Sequence, residues 1–236
     1  VYEGMTNFFE FKQLKIYHDR CAMKVGTDGV LLGAWADVSK SNRILDIGCG
    51  SGLISIMAAQ RSQAYVYGVE IEREAALQAK ENAVRSPWAS RISIVCEDIS
   101  NFQDSKGFDT ILVNPPFFEE DLLPPDAARA SARHTVGLSF ATLLQQVSRL
   151  LCDTGRLYVI IPTVARERFM VEAIVRGFVL NRLTRVVTRP FKAPKRLLCA
   201  LSKVESVFTE DTLLLMDEKG ERSEQYQQLT KDFYIY

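Results

Sequence analysis

The sequence predicts an α/β fold in which helices cover both faces of a mostly parallel β-sheet. From Ile44 onward, segments with the pattern of strands alternate with segments of helical spacing, which is typical of a parallel sheet. A hydrophobic strand also runs directly into a glycine-rich turn within residues 43–52. The last two predicted strands are joined without a helix, through residues 189–194. That connection predicts a hairpin and hence one antiparallel strand.

The predicted elements follow one another without a linker, an internal repeat or a low-complexity tract. Residues 8–17 mix aromatic and polar side chains and predict an early strand or hairpin. Strand patterns then occur at residues 65–70, 92–96, 110–113, 156–161, 178–188 and 196–203. Helical spacing occurs at residues 53–60, 73–86, 140–151 and 164–176. The aromatic-rich tail, residues 226–236, is expected to dock onto the body of the domain.

The composition indicates a globular protein without unusual bias. Of the 236 residues, 47% are hydrophobic and 25% are charged, which is ordinary for a soluble domain. Basic and acidic residues number 29 each, so a nucleic-acid partner would need a local basic patch. Five widely spaced cysteines and two histidines argue against a disulfide framework or a zinc site. With no apolar run near the roughly 20 residues that span a bilayer and no signal peptide, we expect a cytoplasmic protein.

The glycine turn departs from the dinucleotide fingerprint G-x-G-x-x-G. Gly48 and Gly50 match its first two positions, but Leu53 occupies the third and the extra glycine is Gly52. Asp46, just before the turn, would repel a pyrophosphate. An acidic strand end suits a ligand with a positive centre and hydrogen-bond donors. S-adenosylmethionine has a sulfonium, an ammonium, ribose hydroxyls and an adenine amine, so the turn predicts this cofactor.

Two further acids extend the predicted cofactor site. Glu70 ends a predicted strand where a carboxylate could accept hydrogen bonds from both ribose hydroxyls, although NAD sites have an acid there too. Asp98 could accept from the adenine amine while Ile99 packs against the ring. Taken singly, each acid could be no more than an exposed strand end. Three such acids beside a glycine turn favour a cofactor site.

The motif N-P-P-F, formed by Asn114, Pro115, Pro116 and Phe117, follows the predicted strand 110–113. Consecutive prolines cannot extend a helix or pair within a sheet, so a stiff loop is expected. The Asn114 side-chain oxygen and the Pro115 carbonyl could accept both N–H bonds of an exocyclic amine or a planar amide. That arrangement favours the pyramidal, nucleophilic form of the nitrogen. Phe117 could stack on a base. On its own, the tetrapeptide could equally be a rigid turn.

Residues 24–29, with the sequence KVGTDG, precede an apolar run and allow two interpretations. They could begin a helix with Thr27 or Asp28 as its cap. They could also form a loop over a bound cofactor.

These motifs resemble a known family. The pattern D-x-G-x-G-x-G from Asp46, followed by N-P-P-F, resembles the amino-directed class I S-adenosylmethionine-dependent methyltransferases. The segment FKQLKIYHDRCAMKVGTDGVLLGAWA, residues 11–36, resembles more narrowly the bacterial tRNA1(Val) adenine-37 N6-methyltransferases. The resemblance implies a Rossmann-like, seven-stranded sheet with the last strand antiparallel. It implies one domain over residues 1–236, in which residues 1–38 cover substrate and cofactor and residues 39–236 form the catalytic core.

The resemblance also implies the roles of individual residues. Asn114, Pro115, Pro116 and Phe117 would form the amine site. The cofactor would be bound by Gly26, Thr27, Asp28, Asp46, Gly48, Gly50, Glu70, Asp98 and Ile99. The implied partner is the anticodon stem-loop of a tRNA, with no metal, and the sequence leaves the oligomeric state open.

Two basic groups are candidates for binding RNA. One group surrounds the final hairpin, with the aromatic residue Phe191 between its members. Its cations are Arg182, Arg185, Arg189, Lys192, Lys195 and Arg196. The other follows N-P-P-F: Arg129, Arg133 and His134. Phosphate contacts would make binding depend steeply on salt, although each group could also be merely solvated. We expect residues 118–135 to be mobile without RNA.

Three other functions share these motifs. A glutamine N5-methyltransferase would use the same acceptor pair on an amide, but enzymes of that kind usually carry an added helical domain before the glycine turn. A ribosomal RNA guanine-N2 methyltransferase commonly has a histidine after the motif, where Phe118 stands here. A non-enzymatic scaffold would be suggested by loss of Asn114 or the glycines, and all are present.

Overall fold

A computed structural model describes residues 7–115 and 138–235 of the chain. Within them lie ten strands: β1 (Phe8–Glu10), β2 (Lys15–Tyr17), β3 (Arg43–Ile47), β4 (Tyr65–Glu70), β5 (Ile92–Cys96), β6 (Phe108–Val113), β7 (Leu151–Pro162), β8 (Val179–Val187), β9 (Arg196–Ser202) and β10 (Thr209–Leu214). The same residues form six α-helices: α1 (Thr27–Trp35), α2 (Leu53–Arg61), α3 (Arg73–Arg85), α4 (Phe140–Leu150), α5 (Arg166–Val175) and α6 (Glu224–Thr230).

Eight strands form one sheet in the order β10-β8-β9-β7-β6-β3-β4-β5. Strand β9 is antiparallel to both of its neighbours, β7 and β8. The other neighbouring pairs are parallel. The predicted α/β fold is therefore confirmed, and strands β3 to β9 are the seven that were expected, with the last one antiparallel.

The sheet differs from the prediction by an eighth strand, β10, which pairs with β8 at the sheet edge. Because β10 is parallel to β8, the last strand of the sheet in sequence is not the antiparallel one. The segment TEDTLL has four exposed residues at its start. An edge strand that faces solvent carries little of the hydrophobic alternation on which a sequence-based prediction depends.

The two faces of the sheet carry separate hydrophobic cores, and β7 shows how alternation divides them. Tyr158 and Ile160 point to the core formed with α1, α2 and α6. Leu157, Val159 and Ile161 point to the core formed with α4 and α5. All five side chains are almost completely buried. Each burial of a large apolar side chain contributes about 1.5–3 kcal/mol.

Both ends of the described chain pack onto the first of these cores. The predicted early hairpin is confirmed, because β1 and β2 pair antiparallel. The tail docks as expected, with Phe233 and Tyr234 buried. The rings of Phe11 and Tyr234 stack with centroids 5.8 Å apart, and the Lys12 amide donates to the Phe233 carbonyl at 2.8 Å. The N-terminal segment and the tail thus hold each other in place.

The helix predicted after residues 24–29 begins at Thr27, but its capping differs from the expectation. Gly26 is the N-cap residue, and no side chain caps the helix. The prediction that Thr27 or Asp28 caps α1 is therefore wrong. The Asp28 carboxylate instead accepts a hydrogen bond from Arg196 Nε at 2.7 Å, across the sheet edge.

Candidate functional site

The carboxyl ends of three neighbouring parallel strands bring the predicted site residues to one edge of the sheet. Ile47 at the end of β3 is in register with Val69 of β4 and with Val113 of β6. The next residues along the three strands are therefore Gly48, Glu70 and Asn114. Ligands of open α/β sheets bind at this edge.

The glycine turn leaves an open space above β3. Gly48, Gly50 and Gly52 have positive φ values of 69°, 53° and 79°, which favour glycine over other residues. A Cβ atom at Gly48 or Gly50 would meet no atom within 4 Å, whereas one at Gly52 would lie 3.2 Å from Ala79 Cβ. Gly48 and Gly50 therefore border the open space, and Gly52 allows α2 to approach α3.

Asp46 lies beneath this turn and is fully buried. Its Oδ2 accepts a hydrogen bond from Ser55 Oγ of α2 at 2.7 Å, while its Oδ1 is buried without a hydrogen-bond partner. Burial raises the pKa of Asp46 from 3.8 to about 7; the Ser55 hydrogen bonds oppose this rise, and the Glu70 charge adds to it. A buried acceptor without a donor is costly, so the site suits a ligand that brings donors or positive charge.

Glu70 links its own strand end to the glycine turn. Its Oε2 accepts from the Gly50 amide at 2.8 Å, and its Oε1 accepts from the Glu72 amide at 2.9 Å. A carboxylate offers about four acceptor positions, so these two bonds leave capacity for ligand hydroxyls. Glu70 is thus placed at the predicted site and also fixes the conformation of the turn.

Asp98 and Ile99 follow β5, the next strand along the sheet. Asp98 Oδ1 accepts from the Ser100 amide at 2.8 Å, and the residue is partly exposed. Ile99 is buried and packs with Ile47 and Val69 in the core beneath the edge. The structure therefore places both residues beside Glu70, with the Asp98 carboxylate near the surface.

The start of α1 lies between the glycine turn and the N-P-P-F motif. A Cβ atom at Gly29 would lie 3.2 Å from Leu53 Cδ2, at the start of α2, and 4.0 Å from Asn114 Nδ2. The preceding residues, Gly26 and Thr27, are exposed. The second interpretation of residues 24–29, a loop over a bound cofactor, stays a prediction.

The N-P-P-F motif begins where β6 ends. Asn114 is partly buried and Pro115 is buried, and Val113 before them pairs with both β3 and β7. Pro116 and Phe117 lie outside the described residues. So do Arg129, Arg133, His134 and the whole segment 118–135, for which mobility was expected.

Sequence analysis missed a polar clamp on α3. The Asn82 amide donates to the carbonyls of Tyr17 and Ser51 at 2.8 and 2.9 Å and accepts from the Tyr17 amide at 3.1 Å. Gln78, one turn away, accepts from the Arg20 amide at 3.0 Å. Both side chains are buried. Together they hold the N-terminal segment against the glycine turn. In the sequence, the two amides stand four residues apart on a helix face lined by alanines, and this spacing could have indicated that they act together.

The predicted basic group around the final hairpin divides into two sets. Three members pair with acids: Arg182 with Asp211 at 3.1 Å, Arg185 with Glu210, and Arg196 with Asp28. The other three, Arg189, Lys192 and Lys195, have no acidic partner among residues 7–115 and 138–235. The second set can contact phosphates without first breaking an ion pair.

Two further features bear on the predicted partners. In the part of the chain that the structure describes, no helix is both long and apolar enough to cross a membrane. The same residues contain no group of three or more histidine, cysteine or acidic side chains that could hold a metal ion.

Comparisons with known proteins show the family to which the chain is related. A family model described as the methyltransferase small domain matches residues 24–180. The tRNA1(Val) (adenine(37)-N6)-methyltransferase of Bacteroides fragilis (strain YCH46) is 46% identical over 231 residues, which cover 97% of this chain and 98% of that protein. The protein of the same name from Pectobacterium carotovorum subsp. carotovorum (strain PC1) is 44% identical over 232 residues, covering 97% and 94%.

The chain belongs to the tRNA1(Val) (adenine(37)-N6)-methyltransferase family. Solved structures show that this family member has the class I methyltransferase fold. A protein described as a predicted O-methyltransferase from Agrobacterium tumefaciens superposes with a TM-score of 0.69 at 18% identity, covering 89% of this chain and 98% of that one. The glycopeptide N-methyltransferase MtfA, solved with S-adenosylmethionine, gives a TM-score of 0.56 at 13% identity, covering 77% and 90%.

Proposed function

We propose that the protein transfers the methyl group of S-adenosylmethionine to the exocyclic N6 of adenine 37 in tRNA1(Val). The observation that carries this proposal is the placement of Asn114 and Pro115 at the end of β6, directly beside a glycine turn at the end of β3. Relatives of that name match at 46% identity over nearly their whole length. This favours a tRNA adenine over the glutamine and ribosomal guanine alternatives.

The residues around the turn fit S-adenosylmethionine. Gly48 and Gly50 leave room for a ligand, and the buried, unpartnered Asp46 Oδ1 fits a ligand with donors. We propose that the cofactor is held by residues from four segments at the sheet edge: Gly26, Thr27, Asp28, Asp46, Gly48, Gly50, Glu70, Asp98 and Ile99. When bound, S-adenosylmethionine supplies an electrophilic methyl group.

Asn114 and Pro115 prepare the amine. Each of their oxygens can accept one N–H bond of an adenine amino group, whose lone pair is otherwise delocalised into the ring. Bonds that hold both hydrogens out of the ring plane favour the pyramidal nitrogen and are stronger in the transition state than in the ground state. The methylated nitrogen is a strong acid, so its proton can pass to solvent without a dedicated base. In this proposal Pro116 and Phe117 complete the site, with Phe117 as a stacking face.

The proposed partner is the anticodon stem-loop, which contains position 37, and the proposed place of action is the cytoplasm. A base within a helix would have to be flipped out or already unpaired. We propose that residues 1–38 cover the site and residues 39–236 form the catalytic core of one domain. The hydrogen bonds from Asn82 to Tyr17 and Ser51 support this division, since they fix the covering segment to the turn.

The test is methyl transfer to total tRNA from a strain that lacks the corresponding gene, with labelled S-adenosylmethionine and nucleoside analysis. We expect N6-methyladenosine as the labelled product with the parent protein and a strongly reduced yield with Asn114→Ala. A labelled product other than N6-methyladenosine, or none, would overturn the proposal.

A further inference from the structure

Phe191 is an exposed aromatic residue with a strained backbone. It lies in the connection between β8 and β9, and 98% of its surface is exposed. Its φ of 63° makes it the one non-glycine residue with positive φ among the described residues. This conformation costs a bulky residue free energy, and an exposed ring recovers little by burial. Neither feature stabilises the isolated fold.

The hairpin that carries Phe191 ends at the same sheet edge as the candidate site. Strand β8 runs parallel to β7 because both are antiparallel to β9, so the hairpin lies at their carboxyl ends. The Thr163 amide, just after β7, donates to the Lys195 carbonyl at 3.1 Å. Three strand spacings separate β8 from β6, which is about 14 Å. A substrate that extends about 14 Å along this edge from Asn114, as a polynucleotide does, can therefore reach the hairpin.

The surroundings of Phe191 are suited to a polyanion that carries flat rings. Arg189, Lys192 and Lys195 flank it without an acidic partner among the described residues. Beside the ring is an open cleft of about 470 Å³, whose lining includes Lys192, Leu214 and one acid, Glu224. An aromatic face with exposed cations around it is the combination that binds unpaired nucleotides, and here one of the three cations lines the cleft while the other two flank the ring along the chain.

We propose that Phe191 is a base-stacking residue, which binds an unpaired nucleobase of the tRNA while Arg189, Lys192 and Lys195 contact the flanking phosphates. The inference rests on the proposed function in that the nucleic acid is the methylation substrate. It adds a second contact region to the proposed adenine site. The strained backbone presents the ring to solvent, where a base can cover its face.

The test is equilibrium binding of a tRNA1(Val) transcript to the full-length protein at fixed salt. Phe191→Ala should raise Kd about 5- to 150-fold, which corresponds to the about 1–3 kcal/mol of base stacking. Phe191→Trp should retain binding, since it keeps an aromatic face. The matched control is Phe208→Ala, because Phe208 is a partly exposed aromatic residue just before β10, at the opposite edge of the sheet. This control should change Kd by less than about twofold.

Phe191→Gly separates binding from folding. Glycine adopts positive φ without strain, so this variant should unfold at a Tm equal to the parent's or about 2–4 °C higher, and yet bind tRNA as weakly as Phe191→Ala. Equal Kd values for the parent, Phe191→Ala and Phe191→Gly would overturn the proposal. A parent protein that self-associates, with association lost in Phe191→Ala and tRNA binding unchanged, would assign the ring to a second copy instead.

Methyl transfer, measured on the same proteins, distinguishes this inference from the proposed function. If the parent methylates the transcript but Phe191→Ala leaves both Kd and KM for tRNA unchanged, the stacking site fails and the function stands. If the parent binds the transcript through Phe191 but transfers no methyl group, the function fails and the stacking site stands. If the parent does not bind the transcript, both fail.

Discussion

The glycine turn and the β8–β9 hairpin lie at the same edge of the sheet but are built in opposite ways. In the turn, backbone amides and carboxylates are already bonded to one another, as with Gly50 and Glu70, and Asp46 is buried beneath them. In the hairpin, the Phe191 ring and the cations Arg189, Lys192 and Lys195 are exposed to solvent. The turn thus has its own hydrogen bonds in place before a small ligand binds, which lowers the cost of ordering it on binding. The hairpin leaves its groups open for a large, charged partner.

The largest effect on turnover is expected at Asn114, next to the glycine turn. Asn114→Ala removes one acceptor for the adenine amine, and loss of such a preorganised hydrogen bond costs about 2–4 kcal/mol of transition-state stabilisation. We expect kcat to fall about 30- to 1,000-fold, with little change in S-adenosylmethionine affinity. Turnover kinetics and calorimetric cofactor binding measure the two quantities. A variant with parental turnover would mean that the acceptor pair is misassigned.

The second effect concerns Asp46 and the pH dependence of stability. Burial raises the pKa of the Asp46 carboxyl in the folded state from 3.8 to about 7. As the pH rises from about 4 to 7, this carboxyl ionises in the unfolded chain but stays protonated in the folded protein, so the parent loses stability. At about 1.4 kcal/mol per pKa unit, the loss reaches a few kcal/mol. Asp46→Asn should therefore gain stability over the parent as the pH rises from 4 to 7, while its affinity for S-adenosylmethionine falls.

Urea unfolding of both proteins across this pH range measures the effect. Asp37→Asn is a control of opposite sign, because the Ser39 hydrogen bond holds the pKa of Asp37 below its ordinary value. That variant should be less stable than the parent by a constant amount from about pH 4 to pH 7, and this difference should shrink only as the pH falls below about 4. A difference between Asp46→Asn and the parent that stays constant with pH would contradict the burial argument.

A smaller effect is expected from filling the space at the turn. Gly50 has a φ of 53° and Gly177, just beyond α5, has a φ of 76°; a Cβ atom at either would meet nothing within 4 Å. Gly50→Ala and Gly177→Ala should therefore cost similar stability, about 1–2 kcal/mol each. Only Gly50→Ala should weaken cofactor binding, since Gly177 lies at the opposite edge of the sheet. Equal cofactor affinities in the two variants would show that Gly50 does not border the site.

The smallest expected effect concerns the salt dependence of tRNA binding at the β8–β9 hairpin. Lys192→Gln should reduce the slope of log Kd for tRNA against log salt by about 0.7–0.9. Arg185→Gln is the matched control, because Arg185 already pairs with Glu210. This substitution should leave the slope unchanged. Titrations at several salt concentrations measure both. An equal change in the two variants would remove the distinction between paired and unpaired cations.

The two regions also differ in how far the sequence could predict them. The turn is encoded by neighbouring residues: the glycines, Asp46 and the following helix stand within one short stretch, so local pattern reading located it. Ser55 escaped notice because its bond to Asp46 depends on how α2 packs over β3. Asn82 and Gln78 likewise act on residues about 60 positions away.

Six cations around the hairpin were candidates for binding RNA, and the structure pairs three of them with acids. Arg182 and Arg185 are neutralised by Asp211 and Glu210 of β10. That strand has no apolar alternation at its exposed start, so its existence, and with it the pairing, could not be inferred from local pattern. Charge counted along a sequence does not show which cations remain available once distant strands pair.

The most direct test of the account is to locate the methyl group in tRNA1(Val) itself. The protein, S-adenosylmethionine and an unmodified transcript would be incubated, and the product would be mapped by nuclease digestion and mass spectrometry. A second transcript would carry guanine in place of adenine 37. We expect one methyl group on N6 of adenine 37 in the first transcript and none in the second. Methylation of both transcripts to the same extent, or of another position, would contradict the central claim.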